Sequence, residues 1–221
     1  NKALHQVVNW NITDQLTGPG IYDRPGATTS ATIKDLLFDM LNPSGNTAVR
    51  VLVAYVLGGP KVANLRIASD LHLMHTYLQL VNPSRFYMGG TTARDAGSAL
   101  QQLLAINDEY GTFIKHALAT NIYTNYGVRS QLVGNDYILL ANKVGILDDS
   151  NGNNRHDVGI IYNTKAKKSY AYSFMYTSYW QPSATPTAQA GASLAIIGQG
   201  TLRYAGETGA GPLMVEAHAS D

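Results

Sequence analysis

The chain has 221 residues, 45% of them hydrophobic and 14% charged, with 16 basic against 15 acidic groups and a formal net charge of +1. Such a composition buries a sizeable core and lies far from the disordered class. It carries no basic block beyond Lys165, Lys167 and Lys168, which argues against a nucleic-acid partner, and no cysteine, which excludes disulfides, zinc–thiolate sites and thiol nucleophiles.

Residues 1–30 mix polar and turn-forming types, with bends at Gly18-Pro19-Gly20 and Pro25-Gly26. Ile33, Leu36, Leu37, Met40 and Leu41 then fall on one face of an amphipathic helix. Thr32 and Asp35 mark its start as a capping pair, and Pro43 ends it. Residues 47–57 are apolar nearly all round, the pattern of a buried helix closed by Gly58-Gly59-Pro60. Residues 61–82 read as a further helix. Thr92 with Asp95 opens the next, which carries Leu100, Leu103 and Leu104, and another runs from about Asp108 to Ala119.

The second half changes period. Tyr137 to Ala141 is a short apolar run, and Val158, Ile160 and Tyr162 alternate with their neighbours. Tyr170, Tyr172, Phe174 and Tyr176 do the same. Turn-rich segments separate these runs, so three antiparallel strands are expected, followed by an Ala/Gly-rich closing helix over residues 185–204 and a tail over 206–221. The whole reads as one domain over residues 1–221. Its helical lobe spans about 30–125, and its strands with the closing helix about 136–205.

The order of helices, three antiparallel strands and a closing helix resembles the later part of the class A β-lactamases and their penicillin-binding relatives. Met40-Leu41-Asn42-Pro43-Ser44-Gly45-Asn46-Thr47-Ala48 is similar to that family's Ser-Asp-Asn-Thr-Ala loop and likewise opens a buried helix. Ala141-Asn142-Lys143-Val144-Gly145 resembles its Lys-Thr-Gly strand, approached through Arg129-Ser130. Gly20-Ile21-Tyr22 resembles the segment that brings an aromatic residue to the site's rim. The likeness runs from about residue 18 to 204. It implies an α/β (α+β) fold of the β-lactamase/transpeptidase type, a helical lobe plus an antiparallel sheet flanked by helices.

By that resemblance Ser44 is the loop hydroxyl that passes a proton toward the leaving nitrogen, and Asn46 orients the substrate amide. Lys143 attracts the substrate carboxylate. Val144 and Gly145 line the strand along which the substrate lies, with Tyr22 at the rim. The family implies no cofactor and no metal, and a small β-lactam or a peptidoglycan peptide as substrate.

Four departures stand out. No Ser-x-x-Lys occurs: Ser30 has Lys34 four residues on, while Thr112 to Lys115 and Thr164 to Lys167 have the spacing with threonine on the wrong elements. Gly45 replaces the aspartate that braces the family's loop. Val144 replaces a hydroxyl residue, and a lost bond to a charged group costs about 1.5–3 kcal/mol. No glutamate lies between Leu65 and Thr92, where class A enzymes hold their deacylating base.

The nucleophile segment, with the family's N-terminal helix and first two strands, is therefore expected upstream of Asn1 or on a second chain. Without it the Tyr170–Thr177 strand is expected to expose an unpaired edge; the weaker alternative is that Leu213 to Ala217 folds back onto it. No run approaches the roughly 20 apolar residues of a membrane span. The expected setting is extracytoplasmic: a bacterial, secreted, periplasmic or surface-anchored protein of the cell wall.

Simpler readings stand beside these. Ser44 and Asn46 cap the following helix, and Lys143 is a solvated strand residue. His72 and His75 are surface or packing residues rather than metal ligands. His156-Asp157 sits in a turn, and the segment from Asp148 to Asn154 is a hairpin rather than a calcium loop. The functional expectation is a weak β-lactamase-like serine hydrolase acting by acyl transfer. The rival is a non-catalytic binding module of the cell envelope on the same fold.

Overall fold

A computed structural model describes residues 4–81, 86–124, 126–132, 136–149, 152–178 and 213–218. The chain divides into two units, Asn1–Thr91 and Thr92–Asp221, so the helices expected after Thr92 belong with the strands rather than with the earlier helices.

In the first unit a short strand β1 (Val7–Asn9) pairs antiparallel with β2 (Ser30–Thr32). Three residues are too few to show a period, which is why β1 escapes a sequence reading. Helix α1 (Ile33–Leu41) follows as its spacing predicts, with the Thr32 hydroxyl accepting the Asp35 amide. Helix α2 (Asn46–Val51) passes into a π-helical turn over Leu52–Val56. Leu36, Ala48 and Val51 are fully buried where these helices meet Val8, Trp10 and Tyr22.

Helix α3 (Pro60–Leu71) starts with proline in its first turn, where no amide partner is lost, and stops at His72 in the left-handed conformation (φ 55°). Residues 72–81 are not helical. Strand β3 (Tyr77–Val81) pairs antiparallel with β4 (Phe86–Gly90), because the Tyr-Leu-Gln-Leu-Val run favours a pleated surface. Asn64 of α3 holds that strand from the side: its Oδ1 accepts the Leu78 amide at 2.7 Å and its Nδ2 donates to the Leu78 carbonyl at 2.8 Å.

In the second unit α4 (Ala93–Ala105) is capped by the Thr92 hydroxyl and α5 (Glu109–Ala119) by the Asp108 carboxylate. Strands β5 (Tyr137–Asp149), β6 (Gly152–Asn163) and β7 (Lys168–Ser178) form the expected antiparallel meander. A bulge between Leu139 and Ala141 shifts the alternation in β5. Asp148 and Asp149 pair with Asn153 and Gly152, the register a hairpin requires there. His156 and Asp157, however, lie mid-strand in β6 rather than in a turn.

The edge of β7 is not unpaired. Strand β8 (Leu213–His218) pairs parallel with it, from Tyr172↔Leu213 to Thr177↔His218. The fold-back set aside as the weaker alternative is what the structure adopts, because the Leu-Met-Val run satisfies the backbone groups that an edge leaves open. Tyr170 and Tyr172 are buried among Val128, Ile161 and Phe174. Their face of β7 packs a core. The closing helix expected over 185–204 lies outside the described residues.

Candidate active site

The loop carrying Ser44 is built around two aspartates. Asp23 Oδ2 accepts the amides of Gly20 (2.9 Å) and Asn46 (3.0 Å), and its Oδ1 accepts that of Thr47 (2.7 Å). It therefore satisfies the first amides of α2 and places a negative charge at the positive end of that helix. Neither Ser44 nor Asn46 caps α2: Gly45 is the capping residue and supplies no side chain. The simple capping reading is replaced by a cap from 23 residues away.

Asp39 is fully buried under the same loop. Its Oδ1 accepts the Ile21 amide at 2.6 Å, and the Gly45 amide donates to its backbone carbonyl at 2.8 Å. Burial pushes its carboxyl above the usual range, an effect opposed by the Ile21 bond and reinforced by the Asp23 charge. A Cβ at Gly45 would run into the Asp39 carboxylate. That explains the departure at position 45: bracing that the family draws from the loop's own aspartate comes here from Asp23 and Asp39, and the space is filled.

Ser44 has φ 70°, one of three non-glycine residues with positive φ among those described. Such backbone is sparsely populated and collects at functional loops. Asn46 is half-buried and its Nδ2 donates to the Thr17 carbonyl at 2.8 Å, so its side-chain amide is anchored to the 17–20 turn. Tyr22 is not at a rim. Its ring lies edge-on to Trp10, 5.6 Å between centroids, inside the first unit's core, and it is the neighbouring Ile21 that is exposed. Two adjacent aromatic-and-aliphatic positions cannot share one face, and the larger ring takes the core.

In the second unit Lys143 and Gly145 share one face of β5 and Asn142 and Val144 the other, by the strand's period of two. Val144 is buried at 4% exposure, so its side chain and the lysine's serve different faces. Lys143 is half-buried; its Nζ donates to the Val144 carbonyl at 3.0 Å and stands 5.7 Å from the centre of the Tyr123 ring. Burial lowers its pKa to about 8. The solvated reading of Lys143 is thereby replaced by a partly desolvated ammonium that stays mostly charged at neutral pH and gives up its proton from about pH 8 upward. At Gly145 an added Cβ would make only ordinary contact with His156, at 3.4 Å.

Behind that strand lies a polar cluster that the motifs do not announce. Asp157 is fully buried, and its oxygens accept the Val128 amide (2.7 Å), the Asn142 amide group (2.5 Å) and the Tyr172 hydroxyl (3.2 Å). Gly159 clears the space for the Tyr172 ring: a Cβ there would meet the tyrosine hydroxyl at 2.5 Å. Asn121 donates to the Asn142 carbonyl at 2.7 Å, and Arg129 Nη1 donates to the Asn121 carbonyl at 2.8 Å. Burial raises the Asp157 pKa to about 6, against the three bonds that lower it. The sequence signal was available, since Asp157 shares the parity of buried Ile161 in an apolar strand. Asp23 left no such signal, and Tyr123 none beyond being aromatic.

Among the described residues no group of three or more His, Asp or Glu is placed to hold a metal ion. His72 and His75 are exposed. No single helix there is long and apolar enough to cross a membrane.

Helices on an antiparallel sheet, a positive-φ serine loop opening a buried helix, and a lysine–glycine strand define a β-lactamase-type protein. The family model described as "Beta-lactamase enzyme family" matches residues 1–200, and the chain belongs to that family. Among solved structures it is similar to a β-lactamase from Burkholderia vietnamiensis, at 18% identity and TM-score 0.72, covering 93% of this chain and 74% of that one. A β-lactamase from Sphaerobacter thermophilus matches at 22% identity and TM-score 0.69, with coverage of 93% and 74%. A mutant of PBP-A, solved as an acyl-enzyme complex with penicillin G, matches at 14% identity and TM-score 0.58 over 72% of this chain and 58% of that one. No curated protein matches the chain.

Proposed function

We propose that this is a β-lactamase-like serine hydrolase domain that acts by acyl transfer on a β-lactam or a cell-wall peptide amide, in an extracytoplasmic setting. Lys143 receives the substrate's carboxylate, Ser44 passes a proton to the leaving nitrogen and Asn46 holds the substrate amide. The attacking serine belongs to a Ser-x-x-Lys that the 221 residues do not contain, so the reaction needs that motif from elsewhere in the protein or its assembly. The observation that carries the reading is the half-buried ammonium of Lys143 beside the Tyr123 ring, on a strand face shared with Gly145, which adds no side chain of its own.

A charged group kept out of water has a functional rationale when an anion arrives to pair with it. The substitutions at Gly45 and Val144 favour the non-catalytic reading. At position 45 that support weakens, because Asp23 and Asp39 do the bracing instead.

The test is intact-mass spectrometry of the protein, as its organism produces it, after incubation with a fluorescent penicillin. A covalent adduct of one penicilloyl group is expected. No adduct under conditions that label a known penicillin-binding protein would end the hydrolase reading in favour of the binding module.

A further inference from the structure

We propose that Tyr123 is a positioning residue for Lys143, its ring face holding the ammonium on the substrate-facing side of β5. The Nζ atom stands 5.7 Å from the ring centre, inside the roughly 6 Å over which a ring quadrupole attracts a cation. The ring is itself fixed. Tyr126 meets it edge-on at 63°, with centroids 6.3 Å apart. The Tyr123 amide donates to Asn121 Oδ1 at 2.9 Å, and Asn121 in turn donates to the carbonyl of Asn142, the residue before Lys143. Ring and ammonium are thus tied to one stretch of strand through a side chain only 1% exposed.

The environment makes this contact count. A cation–π interaction is worth most when the cation is desolvated, and burial is the cause of the lowered Lys143 pKa. The ring favours the charged form and so opposes the effect of burial. His156, across the strand pair from Gly145, has its own pKa lowered by burial. It is neutral where Lys143 titrates and does not compete for the role.

The inference rests on the proposed function only for its consequence on substrate. Its first readout is the Lys143 pKa, measured by NMR of 13C-labelled lysine with Lys143→Arg to assign the signal. Tyr123→Leu is expected to lower that pKa by about half to one unit and Tyr123→Phe to leave it unchanged. Tyr123→Trp, with the stronger quadrupole, should raise it and decides the matter if the leucine variant does not fold. An unshifted Lys143 in the Leu or Trp variant would overturn the proposal, as would a Phe variant that behaves like Leu. Where penicillin labelling occurs, Tyr123→Leu should slow it about three- to tenfold near pH 7.5. A shifted pKa without labelling in the parent protein would instead count against the hydrolase reading alone.

Discussion

At Lys143 the chemistry is set by one group taken out of water. Its pKa, lowered to about 8, means the native state holds its proton less tightly than the unfolded chain. Lys143 therefore costs stability at neutral pH, and that cost is relieved as the pH rises from about 8 toward the ordinary value of about 10.4. Binding runs the other way, since the charge that attracts a carboxylate disappears over the same range. Labelling by an anionic β-lactam is expected to decline on an alkaline limb near pH 8, read from the pH profile of the second-order rate. A flat profile from pH 7 to 9.5 would remove Lys143 from the reaction.

Position 45 gives a second test at this scale. Restoring the family's aspartate by Gly45→Asp would drive a Cβ into the buried Asp39 carboxylate and add a like charge beside it. The expected loss is about 2 kcal/mol or more in urea unfolding. An unchanged or stabilised protein would show that the loop is not braced as described.

At the scale of elements, two carboxylates decide where motif segments sit. Asp23 replaces a local cap for α2, and Asp23→Ala leaves three amides without their acceptor. A loss of about 2–3 kcal/mol is expected by chemical denaturation. Asp157 ties β5 to β6 and to the segment around Val128. With its pKa raised to about 6, the native chain binds that proton more tightly than the unfolded one. Its contribution to stability is therefore fullest below about pH 4 and is lost as the pH rises through 6.

Asp157→Asn sets an N–H against the Val128 amide or the Asn142 amide group, so it should destabilise at neutral pH by about 1–3 kcal/mol. It should also flatten the parent's pH dependence between 4 and 6, as a set of urea midpoints would show. A parallel pH dependence in parent and variant would contradict the assigned titration.

Local rules made much of this legible. The period of α1 and the caps at Thr32, Thr92 and Asp108 all follow from neighbours within four residues. The Ser44 loop and Lys143 strand are recognisable as motifs. What stayed hidden depends on long-range contacts: the Asp23 cap, the Asp39 clash at Gly45 and the Tyr123 ring over Lys143; the pairing of β8 on β7 was legible only as the weaker of two expectations. Residues 72–81 misled for a different reason, because the apolar residues Leu73, Met74, Tyr77, Leu78, Leu80 and Val81 fit a helix and a strand equally well until the His72 cap resolves them.

For the whole molecule, membership of the β-lactamase family fixes the fold, while the residues decide how complete the chemistry is. Class A enzymes clear their acyl-enzyme with a glutamate-activated water, and the segment between Leu65 and Thr92 holds no glutamate. Any penicilloyl adduct is therefore expected to persist for hours in a mass-spectrometric time course, in place of rapid turnover of a chromogenic cephalosporin. Fast turnover would mean that another base serves.

The most direct measurement is the second-order rate of labelling by a fluorescent penicillin in the parent protein and in Lys143→Ala, at pH 7. Loss of a charge-assisted bond to the substrate carboxylate predicts a fall of about ten- to a hundredfold with the thermal midpoint held or raised. Equal rates in the two proteins would contradict the assignment of Lys143 as the anion-recognising group.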